Sequence, residues 1–131
     1  VQDSEEAAPR SPGMKYKHYA PCGTLTLVSG TSGEEVRNWI QQEIDRAQSN
    51  GEKTGILTYD EHAPFYRADL VIACGSLHKP EEIARNLFHA LRTFDREQVT
   101  FILAEACPEE GLGEAVMNRL KKAAGYRIVR I

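Results

Sequence analysis

The stretch SPGMKYKHYAP, Ser11 to Pro21, concentrates aromatic, cationic and hydroxyl side chains near the amino end of the sequence. Pro12-Gly13 suits the central positions of a type II turn, with glycine free to take positive φ. The prolines disfavour helix at the residues before them. In an extended backbone Met14, Tyr16 and His18 would point one way, and Lys15, Lys17 and Tyr19 the other. One face is then aromatic with a titratable imidazole; the other offers two ammonium groups and a phenol. Such a strip can stack on a base and neutralise phosphates at once. A basic linker of no fixed conformation is the plainer alternative.

Other candidates lie farther along. A parallel sheet would gather Ser29-Gly30-Thr31-Ser32-Gly33, Asp60, Gly75-Ser76 and Glu105 beyond the carboxyl ends of its strands, where ligands favour the crevice. SGTSGEE (Ser29–Glu35) leads from a strand into a helix N-terminus, whose free N–H groups could hold an anion. It is neither GxGxxG nor a P-loop with its lysine, and Glu34 and Glu35 would repel a phosphate, so a capped turn is the plainer reading. His62, His78 and His89 lack paired metal-ligand spacing, and His89, beside Phe88 inside a helix, reads as half-buried. Cys74 and Cys107 stand at strand ends with no CxxC and read as small buried hydrophobes. No serine stands in a nucleophile elbow. The globular part therefore shows no complete active site.

The elements that must position these residues follow from periodicity. TLTLV (24–28), GILTY (55–59), LVIAC (70–74), VTFILA (99–104) and YRIVRI (126–131) read as strands. Three helices lie between them. The first opens at Thr31 or Ser32, each with a glutamate three residues on, carries Val36, Ile40 and Ile44, and stops at Gly51. The second begins at Pro80-Glu81-Glu82 and aligns Ile83, Leu87 and Leu91. The third, near Glu114–Ala124, aligns Val116, Leu120 and Ala124 and is closed by Gly125. The segment from Asp60 to Ala68 reads as a short helix or loop. Alternation of strands and helices predicts an α/β fold: a Rossmann-like, layered, mostly parallel sheet of about five strands with flanking helices. It spans 23–131, behind an extended linker over 1–22 that holds Pro9, Pro12 and Pro21.

Composition agrees with one such domain. The 131 residues are 41% hydrophobic and 27% charged, enough for an ordinary core. A net charge of −3 argues against a surface built throughout for nucleic acid, so anion binding must come from a local cluster such as Lys15–His18. Cys22, Cys74 and Cys107, odd in number and widely spaced, fit neither a disulfide framework nor a zinc site and suit a reducing cytoplasm. No apolar run reaches the ~18 residues of a membrane span. The chain opens on VQDSEEAAPR, which suggests a segment of something longer.

SPGMKYKHYAP closely resembles the interdomain linker of the long, two-domain threonylcarbamoyl-AMP synthases of the YwlC type, whose catalytic half is a YrdC-like domain. The resemblance continues in IARNLFHALRTFD (Ile83–Asp95), in Ala104-Glu105, and in GLGEAVMNRLKKAA (Gly111–Ala124). It implies an enzyme, a nucleotidyltransferase, that converts L-threonine, bicarbonate and ATP, with magnesium, into threonylcarbamoyl-adenylate and pyrophosphate, feeding t6A formation at position 37 of tRNA. It implies a C-terminal Rossmann-like domain and a linker lying over the catalytic cleft, with Ser11, Lys15, Tyr16, His18 and Tyr19 toward nucleotide or product. The partners it implies are the YrdC-like domain of the same protein, the three substrates and downstream t6A transferase machinery. The YrdC-like domain is not in this sequence, so the segment alone is expected to be inactive and to hold no cofactor or metal. An independent nucleotide-binding α/β domain and an RNA or protein interaction module are the alternatives.

Overall fold

In the computed structural model the described residues are 20–131. Strand β1 (Thr24–Ser29) leads into helix α1 (Gly33–Ser49), then β2 (Thr54–Thr58), a 3-10 turn (Ala63–Phe65), β3 (Leu70–Ala73), α2 (Pro80–Arg96), β4 (Phe101–Glu105), α3 (Leu112–Ala123) and β5 (Ile128–Arg130). The strands form one sheet in the order β3-β2-β4-β1-β5, and every pair is parallel. The α/β fold expected from the sequence is present.

Period-two alternation divides the sheet's side chains between two cores. Val28, Ile56 and Leu103 meet Val36, Ile40 and Ile44 of α1 on one face. Leu25, Leu27, Leu57, Ile102 and Ala104 meet Ile83, Leu87, Leu91 and Phe94 of α2 and Val116, Met117 and Leu120 of α3 on the other. Both cores are needed because a parallel sheet must be covered on each side. The connection after β1 thus crosses one face and that after β4 crosses the opposite face. Since β1 and β4 are neighbours, a crevice opens between their carboxyl ends.

Helix boundaries differ from the sequence reading by a turn or less. Ser32, not Thr31, caps α1: its Oγ accepts the Glu35 N–H at 3.4 Å. Helix α3 begins two residues before Glu114, because GLG supplies its start. Gly111 takes φ +57, and a Cβ on Gly113 would lie 2.0 Å from the Pro108 carbonyl oxygen. Strand β4 starts at Phe101, since residues 97–99 still close α2, with Val99 N–H donating to Phe94 O at 3.0 Å. Strand β5 is shortened because Gly125 and Tyr126 both take positive φ to end α3, with the Tyr126 N–H on Lys121 O. His89 is exposed rather than half-buried: it faces away from the stripe of Ile83, Leu87, Ala90, Leu91 and Phe94.

Candidate functional site

The crevice at the carboxyl ends of β1 and β4 is a cavity of about 450 Å³. Its polar lining includes Ser29, His62, Glu105, Glu109, Lys121 and Arg130; Val36, Leu77, Met117 and Ile128 contribute apolar wall. Of the strand-end residues expected there, Ser29, Gly30, Gly33 and Glu105 line it. Thr31, Ser32, Asp60 and Gly75-Ser76 do not; Asp60, Gly75 and Ser76 fasten two loops together. The Asp60 N–H donates to Gly75 O at 2.9 Å, and the Ser76 hydroxyl is held by Glu61. Glu34 and Glu35 are exposed and outside the cavity lining, directly after the lining residue Gly33.

Glu105, the last residue of β4, is 3% exposed, yet it carries a carboxylate. Burial of such a group requires partners. His62 Nδ1 lies 2.9 Å from Oε2 and 3.1 Å from Oε1, and the Thr58 hydroxyl donates to Oε1 at 2.5 Å. Thr58 reaches it because β2 runs beside β4 with Leu57 opposite Ala104. The 3-10 turn brings His62, as the Ala63 N–H donates to Tyr59 O, and the Tyr59 hydroxyl in turn donates to Glu105 O at 2.6 Å. Burial holds the Tyr59 phenol well above its usual range. With Nδ1 engaged by the carboxylate, His62 keeps Nε2 for whatever enters the cavity.

Tyr66 adds an unusual group to this cluster. It is 6% exposed, and burial first, then the nearby Glu105 charge, raises its phenol. Its hydroxyl nevertheless lies outside hydrogen-bonding geometry to Glu105 and to every other described residue, and is unpaired among them.

The thiols behave as expected from their positions. Cys74 and Cys107 are buried, and burial pushes the Cys74 thiol up to about 12 and the Cys107 thiol upward as well, which disfavours a nucleophilic thiolate. Among the described residues no three His, Cys, Asp or Glu side chains gather as a metal site, and no helix is long and apolar enough to cross a membrane.

Ser11, Lys15, Tyr16, His18 and Tyr19 lie outside the described residues. The Cys22 N–H donates to Asp95 Oδ1 at 2.7 Å, and a Cβ on Gly23 would come within 2.3 Å of Val99 O, which fixes the backbone against the end of α2. The Thr24 N–H then donates to Thr100 O, and β1 begins. The chain joins the sheet at the amino end of β1, and the cavity lies at the other end, roughly 20 Å away for six residues of strand. The pairing of His62 with Glu105 was not anticipated. The sequence offered Glu105 as a strand-end residue and His62 only as an unpaired metal-ligand candidate.

The threonylcarbamoyl-AMP synthase C-terminal domain model matches residues 1–125. The chain is 47% identical over 122 residues to the threonylcarbamoyl-AMP synthase of Bacillus subtilis and 46% identical over 125 residues to that of Pyrococcus abyssi, covering 93% of this chain in each case. It spans about a third, 34%, of the length of these relatives. The crystal structure of Pyrococcus abyssi Sua5 complexed with L-threonine superposes with a TM-score of 0.76 at 45% identity, over 98% of this chain and 36% of that one. A crystal structure of the C-terminal Sua5 domain from Pyrococcus horikoshii matches at 38% identity and a TM-score of 0.68, over 86% of this chain and 100% of that one.

Proposed function

This chain belongs to the threonylcarbamoyl-AMP synthase C-terminal domain family, and from that premise we propose that it is the C-terminal part of an enzyme making threonylcarbamoyl-AMP from L-threonine, bicarbonate and ATP. The product would serve t6A formation at position 37 of tRNA. The observation that carries this reading is the identity of 47% and 46% to synthases of a bacterium and an archaeon, extending over 93% of the chain.

Within that enzyme the segment has two parts. Residues 1–22 are the linker to a YrdC-like catalytic domain, with Ser11, Lys15, Tyr16, His18 and Tyr19 facing bound nucleotide or product. Cations there balance phosphate charge, and aromatic rings exclude water from a mixed anhydride prone to hydrolysis. Residues 23–131 are the accessory domain that holds the end of the linker. The Cys22–Asp95 bond and the tight fit of Gly23 support this, since they give the linker a fixed point of departure. Substrate chemistry belongs to the catalytic domain, with ATP accompanied by magnesium, in the cytoplasm.

The test is an assay of pyrophosphate release with ATP, L-threonine and bicarbonate. The full-length protein should turn over, and the 131-residue chain alone should not. Turnover by the chain alone would refute the division of labour, and failure of a folded full-length protein to make the adenylate would refute the assignment.

A further inference from the structure

We propose that the cavity between β1 and β4 is a second ligand site that takes a small organic anion, a compact and partly apolar body bearing one phosphate or carboxylate, of about the size of a nucleoside monophosphate. This does not depend on the function proposed above.

The two carboxylates that line the cavity, Glu105 and Glu109, equal its two cations, Lys121 and Arg130, in number, but they are not paired one to one. Glu105 is buried and its oxygens are engaged by His62 and by the Thr58 hydroxyl. Glu109, at the rim, is matched by Lys121 at 3.6 Å. Arg130, at the end of β5, has no carboxylate within ion-pairing distance among the described residues, and it lines the same space. The charge left without an ion-pair partner is one guanidinium, the group best shaped to bind a phosphate or carboxylate through two parallel hydrogen bonds. Gly30, next to Arg130's strand partner Ser29, and Gly33, the first residue of α1, line the cavity too, so the amino end of that helix faces it, although Glu34 and Glu35 in its first turn offset part of its dipole.

The rest of the cavity selects the body. Val36, Leu77, Met117 and Ile128 give it apolar walls, and about 450 Å³ falls in the range of small-molecule sites. A bare inorganic ion would leave those walls against water. His62, 25% exposed at its side chain, is held by Glu105 through Nδ1 and offers Nε2 to a polar group on the body. A buried carboxylate that fixes a partly exposed imidazole at a cavity floor is an arrangement for reading a ligand, since burying Glu105 is unfavourable unless its partners compensate.

The experiment is an NMR titration of the isotope-labelled 131-residue chain, a unit whose relative from Pyrococcus horikoshii crystallised as a domain. The probes are AMP, benzoate, adenosine and inorganic phosphate. We expect saturable shifts at the amides of Gly30, Gly33 and Ala106 with AMP or benzoate, the stronger of the two assigning phosphate or carboxylate. Adenosine and inorganic phosphate should bind at least about tenfold more weakly, as should the better probe to Arg130→Ala, because each loses a charge-assisted contact or the apolar body. Arg46→Ala, at the far end of α1, should bind like the unaltered chain. The site would be overturned by no saturable shift from either organic anion at millimolar concentration, by adenosine binding as well as AMP, by inorganic phosphate alone binding, or by Arg130→Ala leaving affinity unchanged.

Discussion

Asp95, near the end of α2, accepts the backbone N–H of Cys22 at 2.7 Å, across 73 residues of sequence. This bond fixes the backbone two residues before β1 begins. Burial raises the Asp95 carboxyl above its usual range, and the Cys22 N–H only partly offsets that. A raised pKa means that the folded state holds the proton more tightly. The protonated form is therefore favoured below the ordinary carboxylate range, and that contribution is lost as pH rises through the folded pKa. Asp95→Asn keeps an acceptor without a half-buried charge, so it should melt at or above the temperature of the unaltered chain at neutral pH. Asp95→Ala leaves the Cys22 N–H unpaired and should lose about 1 kcal/mol. Thermal melting and hydrogen exchange at the Cys22 amide check both. An Asn variant as unstable as the Ala variant would mean that the charge itself is required.

Glu61 makes the opposite pH prediction. Its carboxylate accepts the Leu77 N–H at 2.9 Å and the Ser76 hydroxyl, clasping the segment before the 3-10 turn to the loop after β3. Those bonds, the Leu77 N–H first, lower its pKa from 4.5 to about 2. The stabilisation is present above the unfolded value and is lost as pH falls through that window. Melting followed from neutral to acidic pH should show a decline toward about pH 2 that Glu61→Gln diminishes. Because Leu77 and His62 both line the cavity, their amide resonances should shift over the same window. An identical pH dependence in Glu61→Gln would remove the clasp from the account.

How much of this was legible in the sequence follows the range of the interactions. All five strands and three helices were, because Val36-Ile40-Ile44 and Pro80-Glu81-Glu82 are local patterns that tertiary contacts reinforce. The crevice was legible in part: Ser29, Gly30, Gly33 and Glu105 follow from the rule that ligands gather at strand ends. His62 was not, because its meeting with Glu105 depends on β2 and β4 being neighbours, and a separation of 43 positions in sequence carries no sign of strand order. Arg130 escaped for the same reason. Asp95 stood inside a motif that signalled family, while its physical use, an acceptor for Cys22, needed the fold.

Residues 20–131 should fold without residues 1–19. The two cores are complete within the described residues: Leu25, Ile40, Ile56, Phe94 and Leu120, among others, are fully buried. Deleting 1–19 should leave a cooperative thermal transition at an unchanged midpoint, by circular dichroism. Phe94→Ala in that shortened chain should cost about 3–5 kcal/mol, since the ring packs against β2 where Gly55 has no Cβ. A broad transition on deletion alone would show that the first nineteen residues complete a core.

The linker's proposed part in catalysis is tested in the full-length enzyme. Lys15 would lie against phosphate, and the Tyr19 phenol can both stack on a base and hydrogen-bond a phosphate. Loss of one charge-assisted contact removes about 1.5 to 3 kcal/mol, roughly ten- to a hundredfold in the step it supports. The double variant Lys15→Ala, Tyr19→Ala should therefore make the adenylate more slowly or release it to hydrolysis sooner. Its Cys22–Asp95 bond and its cores should be untouched, so it should melt like the parent enzyme. Pyrophosphate release measured beside retained adenylate separates slower formation from faster leakage. Parental turnover and parental retention together would leave the strip as a tether and refute the lid.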